Sequence, residues 1–249
     1  MELTAEQITG NFDQILQIIN NVFTGERKEK LLVMFNELSE RFMLAPASSI
    51  NYFHYAFPGG LCLHTLNVMR IAKKLYELWK DEGANVSDYS FETLIFCSLV
   101  HDLGKVGNEL LDFYVPNDSD WHIKNQGKIY KLNPALHNMR HSDRSIYLLN
   151  YFGVKISELE YITIIIHDGP LEPSTPFYFS TFEEGKILKS NLPYILHMAD
   201  LTAYRLEHEE YINKPKVPIL KKKDEKREVF SKMDIEKTFE SLFPGTEVK

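Results

Sequence analysis

Apolar residues recur along the chain at intervals of three and four, the spacing that brings side chains onto one face of an α-helix. This pattern runs through residues 12–22 and again through residues 31–42. After a short break, Gly59-Gly60 precedes a longer helical segment, which Gly83 ends. The first third of the chain is therefore predicted to consist of helices that pack together through shared apolar faces.

The same reasoning predicts helices in the rest of the chain. Residues 90–101 are almost all apolar, which indicates a helix that is buried on every side. Ser157 and Glu160 have the spacing of a capping box, which predicts that a helix starts at Ser157. A last long helical segment covers residues 191–211.

Residues 108–140 depart from the helical pattern. They contain short aromatic and β-branched runs around Asn125-Gln126-Gly127, which predict a small β-hairpin or an ordered flap. The predicted fold is therefore an all-α helical bundle with a small β-hairpin or flap insertion. We expect three parts, which are an N-terminal helical extension (1–44), the bundle itself (45–212) and a charged C-terminal tail with a short helix (213–249).

Composition narrows the class of protein. The chain has 249 residues and a net charge of −7, which argues against stable nucleic-acid binding but permits a small anionic substrate. Its two cysteines, Cys62 and Cys97, lie in apolar helical segments, which indicates buried thiols in a reducing compartment. Neither a long apolar run nor a signal-like N-terminus is present, so we expect a cytoplasmic protein without a membrane span.

Histidine and aspartate residues interrupt several of the apolar helical segments. His64 shares a helix face with Leu61 and Val68, and Asp200 lies similarly beside Leu196. One such histidine is more often a hydrogen-bonded core residue than a ligand, but a buried unpaired carboxylate costs several kcal/mol. Several of them are most simply satisfied by each other around metal. The candidate ligands are His64, His101, Asp102, His141, His167 and Asp200.

Three of these positions lie in recognisable motifs. The segments GGLCLHTLNV, HDLGK and HMADLTAYRLE occur in this order, and together they resemble the H…HD…D signature of the HD-domain superfamily of metal-dependent phosphohydrolases. HSDRSIYLL and IIIHDG resemble the extra histidine positions of members that hold two metals. The resemblance covers about residues 45–210, and its upstream part is similar to phage and bacterial HD proteins of unassigned substrate.

The ligand types also indicate the metals. Imidazole nitrogens and carboxylate oxygens suit Mn, Fe, Co, Ni or Zn, so one or two divalent transition metal ions are the expected cofactors. A single ion would use His64, His101, Asp102 and Asp200. Two ions would add His141 and His167, with Asp102 as the bridge, and they would lie about 3.5–4 Å apart, as in two-metal hydrolases. We expect the two-metal arrangement.

The resemblance implies hydrolysis of a phosphoester or phosphoanhydride bond in a nucleotide-like substrate through metal-bound hydroxide. Asp102 and Lys105 are the expected catalytic residues, and the Lys105 ammonium would also bind a phosphate oxygen. Arg144 lies one helical turn after His141 and is expected to contact phosphate, while His54 is expected to line the pocket. Each has a simpler explanation, namely a solvated lysine, a surface salt bridge and packing in an aromatic loop.

Two other functions fit the same residues. A di-iron oxygenase of the HD type, acting on a small polar molecule, resembles the superfamily and uses the same order of six ligands. A non-catalytic nucleotide-binding module would use the metal only for stability. The sequence leaves open whether a hydrolase would be a monoesterase, a triphosphohydrolase or a phosphodiesterase, and whether the protein is a homo-oligomer.

Overall fold

The structure, a computed structural model, describes residues 3–213, apart from the side chain of residue 171. The described residues form ten α-helices and a two-stranded sheet, so the predicted fold class is confirmed. The predicted tail of residues 213–249 lies, from residue 214 onward, outside the described residues. The helices are α1 (Ala5–Val22), α2 (Gly25–Glu37), α3 (Ser39–Leu44), α4 (Gly60–Asp81), α5 (Phe91–Val100), α6 (Asp120–Gln126), α7 (His141–Tyr151), α8 (Glu158–Ile165), α9 (Pro176–Phe179) and α10 (Leu192–Asn213). The strands are β1 (Tyr114–Pro116) and β2 (Tyr130–Leu132).

The first three helices share one hydrophobic core with the rest of the bundle. Phe12 of α1 and Phe35 of α2 each pack against the Phe42 ring of α3, and all three belong to the cluster that includes α4 and α5. Most residues of α5, from Leu94 to Val100, are buried, as its apolar sequence predicts. Residues 3–44 therefore pack onto the bundle. The predicted status of residues 1–44 as an extension stays a prediction.

Local sequence signals place several helix ends. The Ser157 side chain accepts a hydrogen bond from the Glu160 backbone, and the Glu160 carboxylate accepts one from the Ser157 backbone, which confirms the capping box. The predicted helix over residues 31–42 is interrupted at Leu38, whose φ of −89° and ψ of 3° separate α2 from α3. Periodicity alone does not reveal this break, because the apolar residues on both sides still face one core.

The flap contains a helix between its two strands. β1 and β2 pair antiparallel, with Tyr114 opposite Leu132, and α6 forms the connection. Residues 125–127, around which the hairpin or flap was predicted, form the end of α6, where Gly127 adopts a left-handed φ of 61°. Its backbone N–H donates back to the helix, which is the usual role of glycine after a helix end.

Both cysteines lie in the hydrophobic core, as their apolar helical segments predict. Cys62 and Cys97 are buried free thiols, and burial raises the pKa of each. No helix in residues 3–213 has the length and apolar content that a membrane crossing requires.

A short 3₁₀-helix, Leu103–Val106, follows directly after α5 and lies against α7. This contact requires glycine at position 104, because a Cβ there would lie 2.0 Å from the carbonyl oxygen of His141. The Gly104 N–H donates instead to Ser145 Oγ at 2.8 Å. This close approach brings the residues at the end of α5 next to the start of α7.

Candidate metal centre

Five parts of the fold contribute side chains to one buried cluster. They are α4, the end of α5, the start of α7, the residues after α8, and the middle of α10. The cluster contains every ligand candidate expected from the sequence. Its members are His64, His101, Asp102, His141, His167, Asp168 and Asp200.

The first half of the cluster lies between α4, α5 and α10. His64 Nε2 lies 3.0 Å from Asp200 Oδ1, and His101 Nε2 lies 3.9 Å from the same oxygen. Both histidine nitrogens are 3.6 Å from Asp102 Oδ2. Two imidazoles and two carboxylates therefore face one small volume.

The second half lies at the start of α7 and the end of α8. His141 Nε2 is 3.3 Å from His167 Nε2 and 3.3 Å from Asp168 Oδ2. Asp102 Oδ1 faces this group, at 3.3 Å from His141 Nε2 and 3.5 Å from His167 Nε2. The two oxygens of Asp102 thus face different histidine pairs.

Hydrogen bonds on the far side of the rings direct the Nε2 atoms inward. His101 Nδ1 is 2.8 Å from the Ser98 carbonyl, and His167 Nδ1 is 2.7 Å from the Ile164 carbonyl. His64 Nδ1 instead contacts a carboxylate on α10, as described below. A bond from Nδ1–H to an oxygen leaves Nε2 as the free acceptor, which is the arrangement typical of metal-ligating histidine.

Three buried atoms in the cluster lie close to other polar atoms but have no partner in hydrogen-bonding geometry, so a metal ion would satisfy them. They are His64 Nε2, His101 Nε2 and Asp102 Oδ1. Buried polar atoms in native proteins are almost always satisfied, so these three indicate a missing partner. Donor atoms that each lie about 2.1 Å from a shared ion are about 3–3.5 Å apart, close to the separations found here. Buried His and Asp groups of this chain could therefore hold a metal ion, whose identity the fold leaves open.

The electrostatics of the cluster also favour an added cation. Burial lowers the pKa of His64, but the Glu207 carboxylate and its acidic neighbours outweigh burial and raise the pKa to about 10. Burial likewise opposes charge on His167, but Asp168 and nearby carboxylates raise its pKa to about 9. Burial lowers the pKa of His101 to about 4. The carboxylates therefore favour positive charge among them, which a proton or a metal ion can supply.

Lys105 lies beside the cluster. Its Nζ is 2.6 Å from Asp102 Oδ2, the oxygen that also faces His64 and His101. Burial opposes the charge on the ammonium, but Asp102 outweighs it and raises the pKa of Lys105. The lysine is therefore a charged residue of the site, in contrast to a solvated lysine after a helix end.

An open cavity of about 250 Å³ lies over the cluster. Lys105 and His54 both line it. Its lining residues are Phe53, His54, Lys105, Asp168, Glu172, His197, Asp200, Leu201 and Tyr204.

Arg144 does not line this cavity. Its Nη2 donates to the carbonyl of His137 at 2.8 Å, and its guanidinium lies 5.8 Å from the centre of the Phe113 ring. The residue is also buried beneath the flap, in contrast to the surface salt bridge that was the simpler expectation. A role in phosphate binding stays a prediction, which this contact does not support.

Sequence reasoning missed two acidic residues of the site. Asp168 follows His167 directly, so the second His-Asp pair in IIIHDG was an available signal. Glu207 lies two helical turns after Asp200 and is 2% exposed. Its Oε2 is 2.9 Å from His64 Nδ1, and its Oε1 accepts from Asn67 at 2.9 Å. The seven-residue spacing from Asp200 places both on one face of α10, which was its signal.

Comparison of the chain with family models, with curated proteins and with solved structures finds no match. The assignment of a metal centre therefore depends on the ligand types, their separations and the unsatisfied buried atoms described above.

Replacing Glu207 with leucine is expected to weaken metal binding by about 10- to 100-fold, the usual effect of losing an outer partner of a histidine ligand. Without the carboxylate, His64 Nδ1 loses the acceptor that helps to hold the ring with Nε2 directed inward. Glu207→Gln keeps an acceptor for Nδ1–H, so its loss of affinity should be smaller. Titration with Mn²⁺ measures both variants. The control is Glu209→Leu, because Glu209 is an exposed neighbour. A metal affinity of Glu207→Leu equal to that of the wild-type protein would contradict the role of Glu207.

Proposed function

We propose that this chain is an HD-type metal-dependent phosphohydrolase that acts on a phosphoester or phosphoanhydride bond of a nucleotide-like substrate. The observation that carries the proposal is the position of Asp102. One buried carboxylate presents its two oxygens to two separate histidine pairs, and a lysine on the same carboxylate lines the cavity above. This geometry supports the two-metal arrangement, in which Asp102 would help to hold both ions.

The residues that would hold the ions are His64, His101 and Asp200 on one side, and His141, His167 and Asp168 on the other. When bound, such ions neutralise phosphate oxygens and lower the pKa of water, which is the chemistry that hydrolysis at neutral pH needs. The Lys105 ammonium would donate a hydrogen bond to a non-bridging phosphate oxygen and stabilise its charge as the bond breaks. The Asp102 carboxylate would hold the Lys105 ammonium and the histidine rings in their positions relative to one another.

Support for the nucleotide-like part of the substrate comes from the aromatic walls of the cavity. The rings of Phe53 and Tyr204 lie edge to face, with their centroids 6.4 Å apart. The centroid of the His54 ring lies 5.1 Å from that of the same tyrosine. Such a wall can stack a planar base, and the ammonium of Lys105 lines the same cavity. We also propose a cytoplasmic location, which the two free cysteines support.

Elemental analysis followed by a nucleotide screen tests this proposal. The purified protein is expected to contain about two transition metal ions per chain. Under anaerobic conditions with Mn²⁺, Co²⁺ or Ni²⁺, it should release phosphate or a nucleoside product from at least one member of the panel. The Asp102→Ala variant, purified in parallel, controls for contaminating phosphatases.

Two results would contradict the proposal. Bound iron with an oxygen-dependent optical signal, and no hydrolysis under anaerobic conditions, would indicate an oxygenase. Tight nucleotide binding by the metal-loaded protein without any turnover would indicate a binding module.

A further inference from the structure

A second cavity, of about 170 Å³, lies on the other side of Lys105. Among the residues that the structure describes, Lys105 is the one that lines both this cavity and the one over the metal centre. The second cavity is enclosed by α3, the following loop and the flap. The apolar and aromatic residues that line it include Leu44, Pro46, Phe113, Tyr114 and Tyr130.

The walls of the second cavity suit an uncharged organic group. Aromatic and aliphatic side chains make up most of its lining. Arg41 also lines it, but the guanidinium donates to the carbonyl of Leu111 at 3.0 Å. Glu40 and Asp112 lie in the same wall and would repel a further phosphate group. An apolar or planar substituent is the occupant that these residues favour.

The second cavity is held in a defined position relative to the metal centre. The Phe113 N–H donates to the carbonyl of Val106 at 3.3 Å, which ties the start of the flap to the 3₁₀-helix that carries Lys105. The Lys105 N–H in turn donates to the carbonyl of Asp102 at 2.9 Å. A phosphate bound at Lys105 therefore has a space for an organic group on each of two sides.

We propose that the substrate is a phosphodiester whose two organic groups occupy the two cavities on either side of Lys105. This inference rests on the proposed function. A monoester has one organic group and would leave one cavity unused, while a triphosphate directed into the second cavity would meet Glu40 and Asp112. A phosphodiester carries one negative charge, and the Lys105 ammonium, which lines both cavities, supplies one positive charge to pair with it.

The reaction is a hydrolysis that needs water alone as co-reactant. The oxygen of water forms a new bond to phosphorus, and one of the two ester P–O bonds breaks. One proton of the water ends on the departing oxygen, which leaves as an alcohol or phenol. The second proton stays with the new phosphate monoester, so that atoms and charge balance without any oxidation or reduction.

Two chromogenic probes with the same leaving group test the inference, with Mn²⁺ as the added metal. Bis(4-nitrophenyl) phosphate is the diester, and 4-nitrophenyl phosphate is the monoester. We expect kcat/KM for the diester to exceed that for the monoester by about tenfold or more. Leu44→Trp narrows the second cavity and should lower this ratio by about tenfold. Leu44 is 51% exposed, so the larger side chain has room to fold.

The control is Leu78→Trp on α4, because Leu78 is 53% exposed and lines neither cavity. It should leave the diester-to-monoester ratio of the wild-type protein unchanged. A preference for the monoester, or an unchanged ratio in Leu44→Trp, would overturn the diester inference while the hydrolase stands. Nitrophenol release from neither probe by the metal-loaded protein would count against both the inference and the hydrolase.

Discussion

Replacing Asp102 with alanine is expected to abolish hydrolysis and to remove bound metal. The carboxylate is 2% exposed and faces all four histidines of the cluster, so its loss affects both halves at once. Metal affinity should fall by more than about 100-fold, the upper range for loss of an outer-shell partner. Because metal binding is linked to folding, each kcal/mol of lost binding should lower the melting temperature by about 2–4 °C.

Melting curves recorded with and without a chelator distinguish the loss of bound metal from a direct destabilisation of the hydrophobic core. The wild-type protein should lose stability when metal is removed, whereas Asp102→Ala should melt at one temperature under both conditions. Asp81→Ala, at the exposed end of α4, is the matched control and should behave like the wild type. Full metal content and full activity in Asp102→Ala would show that the centre is assigned to the wrong residues.

Replacing Lys105 with methionine is expected to lower kcat by about 10²–10³-fold, the usual effect of removing one group that stabilises transition-state charge. Methionine keeps most of the aliphatic stem, so the change removes mainly the ammonium. Metal content should stay near the wild-type value. The 2.6 Å contact with Asp102 adds a second expectation, which is a lower melting temperature of the metal-free variant, because Asp102 then lacks its cation.

Steady-state kinetics at saturating substrate, together with elemental analysis, measure the effect of Lys105→Met. The exposed Lys124 of α6, as Lys124→Met, is the control for loss of one lysine charge. An unchanged kcat in a fully metal-loaded Lys105→Met protein would remove Lys105 from the mechanism. A lower kcat that follows the metal content would assign it to metal binding instead.

Helix periodicity determined most of the fold and, through it, the candidate ligands. The helical period shows that His64 and Asp200 share faces with buried apolar residues, and the structure places both in the core of the cluster. Capping residues predicted the start of α8, and the apolar composition of α5 predicted its burial. These features are local, since a few neighbouring residues decide them. The functional assignment of the cluster stays a proposal.

The roles of Glu207 and Arg144 depend on contacts between distant segments. His64 and Glu207 are 143 positions apart, and only the packing of α4 against α10 brings them to 2.9 Å. Arg144 lies one turn after His141 as expected, yet the flap and the loop before α7 direct its guanidinium to a carbonyl.

By itself, the sequence determined most of the longer helices, their buried faces and the types of ligand that these faces carry. Only the tertiary structure decided which buried faces meet, how the two oxygens of Asp102 divide between the histidine pairs, and that a cavity lies on each side of Lys105. The physical reason is that the helical period fixes the direction of a side chain relative to its own axis. Relations between axes depend on the packing of the whole core.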